Sequence, residues 1–146
     1  MSHIVLRCPR CGRTRPADMS TDVCRDCGAP LDVEYLADHK TDGKSNTFEA
    51  RTPVHNASSG VSLGEGDTPC VHLKALGENL GMRRLHGKLE FLNPTGSFKD
   101  RGTAVMISVA MDHGVTELVE DSSGNAGASV SAYAARAGVK AHVFVP

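Results

Sequence analysis

Two copies of one short pattern, Cys8-Pro9-Arg10-Cys11-Gly12 and Cys24-Arg25-Asp26-Cys27-Gly28, limit what the start of this chain can fold into. A Cys-x-x-Cys-Gly segment closes a tight turn whose backbone N–H groups point at the sulfurs, with glycine taking the positive φ. Two such turns bring together four thiolates, the donor set of a tetrahedral Zn²⁺ with no open position for chemistry. Residues 12–23 between the pairs allow a hairpin, though the gap is a little short for the usual four-cysteine spacing. The rival readings are two disulfides, a redox pair and an iron–sulfur site. Disulfides suit an exported chain, and a redox pair needs only one Cys-x-x-Cys beside a βαβ unit. The spacing favours a structural zinc ribbon over residues 1–36, with Cys8, Cys11, Cys24 and Cys27 as ligands. Such a small unit has little core, so the metal would supply most of its folding free energy.

Residues 37–60 read as a linker. Asp38 to Asn46 is polar, Arg51-Thr52-Pro53 breaks any regular element, and Asn56-Ala57-Ser58-Ser59-Gly60 is small and flexible. From residue 61 strands and helices alternate. Lys74 to Leu80 is a short helix stopped by Gly81, and Leu85 to Leu92 passes as a strand. A helix from Phe98 to His113 presents Val105, Met106, Val109 and Ala110 as its apolar face. Then follow a strand from Thr116 to Glu120, a helix from Ala126 to Ala137, and a strand from Ala141 to Val145. Gly114 and Gly138 stand where helices end. This repetition argues an α/β domain with a parallel sheet and right-handed crossovers.

Two of the crossover turns carry chemistry. In Asn93-Pro94-Thr95-Gly96-Ser97-Phe98-Lys99-Asp100, Ser97 is a good N-cap and Lys99 falls in the first helical turn. A cation is disfavoured there by the helix dipole, by a few tenths of a kcal/mol or more. That field, with some burial, would make the amine a better nucleophile. The plainer reading is a solvated lysine beside Asp100, which offsets the dipole. The second turn, Ser122-Ser123-Gly124-Asn125-Ala126-Gly127, again opens a helix. Its small residues and exposed N–H groups suit a carboxylate or phosphate. Both turns would open at the carboxyl ends of parallel strands, where ligands bind in open α/β folds.

At these residues the chain resembles pyridoxal-phosphate enzymes of fold type II, and threonine synthases most of all. Asn93 to Gly102 is similar to the family's lysine motif, Ser122 to Gly127 to its asparagine loop, and Gly64-Glu65-Gly66-Asp67-Thr68-Pro69 to the loop that opens its catalytic fold. The resemblance covers residue 61 to the end, and many threonine-synthase-like proteins also carry an N-terminal ribbon. It implies that Lys99 bonds pyridoxal 5'-phosphate and then serves as general base, with Phe98 packed beside it. Asn125 would bond the ring's 3′-oxygen, and Ser122, Ser123, Gly124 and Asn125 would line the substrate site. The implied reaction is O-phosphohomoserine plus water to threonine plus phosphate.

Departures from the family pattern qualify this. Ser123 and Ala126-Gly127 differ from the usual threonine synthase loop, which leaves cysteate synthase, diaminopropionate ammonia-lyase and threonine dehydratase chemistry open. The resemblance also places the glycine-rich phosphate loop beyond Pro146. The expectation is therefore an incomplete three-layer αβα domain over 61–146, not competent alone, with a homodimer or a completing polypeptide as partner. Cys70 stands where the family more often has an apolar residue, and a buried small hydrophobe is expected.

Net charge is −1, from 16 basic and 17 acidic residues intermixed, which argues against nucleic-acid and membrane partners. No run is apolar enough to span a bilayer, and Ile4-Val5-Leu6 is cut off by Arg7, so a cytoplasmic protein is expected. The seven histidines show no metal spacing. A different class of reading is a zinc-ribbon binding module on a non-catalytic remnant. Arg7, Arg10, Arg13, Arg15 and Arg25 would then make weak nucleic-acid contact. Asp18, Asp22 and Asp26 among them, and the absence of interleaved aromatics, favour a solvated face instead.

Overall fold

The computed structural model describes residues 4–18, 22–36, 52–54 and 56–146. The expected linker segment 37–51 lies outside the described residues. The chain begins with a three-stranded antiparallel sheet in the order β2-β1-β3, built from β1 (Ile4–Arg7), β2 (Thr14–Pro16) and β3 (Asp32–Tyr35). Its centre is Cys8, Cys24 and Ala29, with Leu31 packed against them. β1 and β3 face Val109 and His113 of the long helix described below, across a small cavity of about 120 Å³.

The stretch 52–61 is not the flexible connection its composition suggests. Val54 is buried, and Ala57–Ser59 form one 3₁₀ turn. Two hydrogen bonds fasten it to the long helix: Asn56 N–H donates to the Asp112 carboxylate (3.2 Å), and Val61 N–H to Ser108 Oγ (2.8 Å). Small polar residues read as a loose linker because their partners are distant in sequence.

Next come β4 (Cys70–His72), α1 (Lys74–Leu80) and β5 (His86–Lys88). β4 and β5 pair antiparallel in a sheet of their own, and a 3₁₀ turn occupies Glu90–Leu92. The expected strand from Leu85 to Leu92 is thus shorter and stands outside the parallel sheet. Cys70 is exposed, not buried, because β4 is exposed along its length.

The remaining elements are α2 (Lys99–Asp112), β6 (Glu117–Asp121), α3 (Asn125–Ala137) and β7 (Lys140–Phe144), within about a residue of their sequence-based limits. β6 and β7 pair parallel, from Glu117 opposite Lys140 to Asp121 opposite Phe144, across the α3 crossover. Val61, Ala104, Ile107, Tyr133, Ala134 and Val139 form the core, with Leu118 and Ala141 packed on it from the strands. Among the described residues one helical layer covers this sheet; Val119, on its other face, is exposed. The buried face of α2 is Asp100, Thr103, Ala104, Ile107, Ser108 and Ala110 rather than the face predicted around Val105, Met106 and Val109. Of the predicted face only Ala110 is buried, and Met106 is exposed. The polar members of the true face hide it from an apolar pattern. Asp100 and Ser108 sit inside because each finds partners there, as Ser108 Oγ–H does at Ala104 O (2.7 Å).

Candidate functional site

The long helix starts at Lys99, with Phe98 as a cap that makes no side-chain bond, one position later than the predicted Ser97 cap, and Ser97 lies buried just before it. Its hydroxyl accepts the Lys99 N–H at 3.3 Å, one of the orphan donors of a helix start. Lys99 opens α2 with an exposed side chain, so the burial expected for it is not seen. Its Nζ lies 5.1 Å from the ring centroid of Phe98, itself 58% exposed, in a cation–π contact. The next residue turns the other way. Asp100 is fully buried and its carboxylate accepts three hydrogen bonds. They come from Thr95 N–H (2.7 Å), the Thr95 hydroxyl and the Ser129 hydroxyl (2.6 Å).

Ser129 belongs to the helix that the asparagine loop opens. The Asp100–Ser129 bond therefore ties the first turn of α2, which Lys99 opens, to the second turn of α3, which Asn125 opens. In the asparagine loop Ser122 is half-buried and works as the cap. Its Oγ accepts from Gly124 N–H (3.2 Å) and Gly127 N–H (3.1 Å). Ser123, Gly124 and Asn125 are exposed. Gly127 is where only glycine fits: a Cβ there would lie 2.8 Å from Ser122 O and 3.0 Å from Val143 Cγ1. Over Gly124 there is open space, with nothing within 4 Å of a Cβ position.

The third motif segment closes the arrangement. Gly66 N–H donates to the buried Asn93 Oδ1 (3.0 Å), while Gly66 O accepts from Arg101 Nη2 (3.0 Å). Arg101 also grips Glu90 with both arms, Nε to Oε2 and Nη2 to Oε1, each at 2.8 Å. The Arg101 guanidinium holds the Glu90 carboxyl below the usual carboxylate range. Glu65 Oε2 accepts the hydroxyl of buried Tyr133 at 2.7 Å, and burial with this carboxylate pushes the phenol well above its ordinary value. The sequence named the three segments but missed Asp100, Ser129, Glu65, Tyr133 and Arg101, which join them. Buried polar side chains are a signal only once their partners are known.

The four cysteines of the ribbon meet as their spacing predicts. All four sulfurs lie within 4.8 Å of one another, with Cys8–Cys27 at 3.5 Å and Cys11–Cys24 at 3.7 Å. Sulfurs at the corners of a tetrahedron about 2.3 Å from a shared metal stand about 3.8 Å apart, so the cluster can hold one ion. The four sulfurs stand too far apart for S–S bonds and close enough to share an ion, the arrangement the zinc reading calls for. The two turns are copies of each other. Cys8 N–H donates to Arg13 O and Cys24 N–H to Ala29 O, both at 2.8 Å, and Gly12 and Gly28 take φ of 74° and 69°. Cys11 N–H points at Cys8 Sγ (3.5 Å) and, foremost among the causes, holds the Cys8 thiol down to about 6. A hollow of about 310 Å³ lies beside this cluster, lined by Arg13, Arg15, Cys24, Asp26 and Leu31 among others. The lysine and asparagine loops present an open surface.

A model of the family described as pyridoxal-phosphate dependent enzyme matches residues 61–146. The threonine synthase of Methanocaldococcus jannaschii is 38% identical to this chain, over 98% of the chain and 38% of that protein. That of Methanosarcina acetivorans is 34% identical, over 97% of the chain and 36% of its own length. That of Bacillus sp. (strain ULM1) is 40% identical over 71% and 29%. The chain spans under two fifths of the length of these curated relatives.

Proposed function

This chain belongs to the pyridoxal-phosphate dependent enzyme family, and from that premise we propose that it serves the threonine synthase reaction, O-phosphohomoserine and water to threonine and phosphate. The observation that carries the reading is the joining of the two motif helices through Asp100 and Ser129. Lys99 with its primary amine and Asn125 with its amide each open one of the two helices so joined, and their exposed side chains, with the Ser123 hydroxyl next to the open space over Gly124, make up a donor set. That donor set fits pyridoxal phosphate. When bound, the group supplies an electron sink for a carbanion at the substrate's α-carbon. Lys99 is the amine that would bond its aldehyde carbon, and once displaced takes the α-proton. Phe98 packs against the lysine's ammonium, and Asn125 would donate to the ring's 3′-oxygen. Ser123 and the N–H groups of α3 would hold the substrate carboxylate. Ser122 already accepts two N–H groups, so its remaining contribution there is its hydroxyl proton.

The division into a ribbon (1–36), a linker (37–60) and the start of a catalytic domain (61–146) belongs to the same reading, as does a second copy or completing polypeptide as partner. We assign the four-cysteine cluster a structural Zn²⁺, since four thiolates leave no open coordination position. Among the described residues no helix is long and apolar enough to cross a membrane. The preference for phosphohomoserine over other amino acids follows the named relatives, which are all threonine synthases.

Phosphate release and threonine formation from O-phosphohomoserine test the reading, with pyridoxal phosphate present and the part of the Methanocaldococcus jannaschii threonine synthase that this chain does not cover supplied as the completing polypeptide. The expected result is turnover that Lys99→Ala abolishes and Asn125→Ala reduces at least tenfold. No phosphate release from any form, or release indifferent to Lys99, sinks it.

A further inference from the structure

The Thr95–Asp100–Ser129 junction uses a buried carboxylate where the fold needs only packing. Asp100 is fully buried, and the donors on it come from two separate motif segments. A carboxylate in the first turn of a helix is favoured by the dipole. Thr95 lies in the turn that leads into Lys99, and Ser129 one helical turn after Asn125. Lys99 leaves the backbone immediately before Asp100, so whatever fixes the Asp100 carboxylate fixes the direction in which Lys99 departs. We infer that Asp100 is a positioning residue that couples the two loops, so that Ser129, 30 positions away in sequence from Lys99, governs the reactivity of Lys99 toward an aldehyde. This rests on the pyridoxal-phosphate reading for its functional meaning, but the coupling itself is a property of the chain.

The coupling has a readout that needs no cofactor. Removing the Ser129 hydroxyl takes one donor from Asp100 and frees the carboxylate to rotate away from Thr95 N–H. That amide should then exchange faster with solvent, although no atom near it in sequence has changed.

The test compares the wild-type chain with Ser129→Ala, Ser129→Thr and Asp100→Asn in two measurements. The first is hydrogen exchange at Thr95 N–H. The second is the rate at which pyridoxal phosphate with borohydride labels Lys99, read by peptide mass spectrometry. Ser129→Ala is expected to speed Thr95 exchange tenfold or more and slow Lys99 labelling fivefold or more. Ser129→Thr, which keeps a hydroxyl, should restore both; a merely structural cavity would not be rescued so. Asp100→Asn should resemble Ser129→Ala in both, because the amide offers one carbonyl oxygen where the carboxylate offered two. If both rates are unchanged in Ser129→Ala and Asp100→Asn, the inference is wrong. If wild-type Lys99 takes no selective label while Thr95 exchange responds to Ser129, the coupling stands and the pyridoxal-phosphate reading fails.

Discussion

Residues 4–36 gather around Cys8, Cys24 and Ala29, whereas residues 61–146 gather around Ile107, Tyr133, Ala104, Ala134 and Val139. The first region has three short strands and almost no apolar volume; four sulfurs stand where a core would be. The second has a packed core, and on it a layer of buried polar side chains that reach between segments far apart in sequence. The two therefore depend on different things. On the zinc reading the ribbon depends on an ion, because apolar burial worth about 25 cal/mol per Å² would not offset the ordering of so small a unit. The α/β unit needs shape, because its interlocking bonds hold only while the helices keep their spacing.

The sharpest way to break that comparison is to remove the metal. Structural zinc in small sites is worth on the order of 10 kcal/mol of folding free energy. Chelation, or Cys24→Ala, should therefore strip hydrogen-exchange protection from β1, β2 and β3 while α2 and α3 keep theirs. Equal loss in both regions would show that they are one cooperative unit. The complementary change is Ile107→Ala in the fully buried centre of the second region. It should cost about 2–5 kcal/mol in denaturant unfolding of the α/β unit and leave zinc content unchanged.

A smaller effect tests shape alone. Gly127→Ala would place its methyl 2.8 Å from Ser122 O, which belongs to the backbone and yields poorly. The expected penalty is about 1–3 kcal/mol, with shifted resonances in β7 around Val143. A neutral substitution would mean that α3 sits further from the strands than described.

The smallest concerns acid. Arg101 depresses the folded-state pKa of Glu90 below the unfolded value of about 4.3. The Glu90 contribution is thus complete above that unfolded value and disappears as pH falls through the depressed one. Glu90→Gln should flatten the acid limb of the stability curve below about pH 4 and leave the neutral limb parallel to wild type. An unaltered acid limb would remove the Arg101–Glu90 pair from the account.

What could be read in the sequence divides along the same line. The ribbon was legible almost residue by residue, because cysteine spacing and glycine φ are local rules: Gly12 and Gly28 take the positive φ those rules require. The α2, β6, α3 and β7 limits were legible too, from turn residues and periodicity. The buried face of α2 was not, since Asp100 and Ser108 look like surface residues until Thr95 and Ser129 reach the first and Val61 the second in the fold. Segment 56–60 was misread for the same reason. At the site, Lys99 and Asn125 were visible as motif residues, while the Asp100–Ser129 contact that ties their two helices joins positions 29 apart in sequence and carries no local pattern.

The central claim is that Lys99 is the residue that takes pyridoxal phosphate. It is met most directly by incubating the chain with that compound, reducing with borohydride and mapping the modified lysines against Lys99→Ala. The account predicts saturable label at Lys99 that disappears in the variant. Label spread over surface lysines such as Lys74, Lys88 and Lys140, and unchanged by Lys99→Ala, would contradict it.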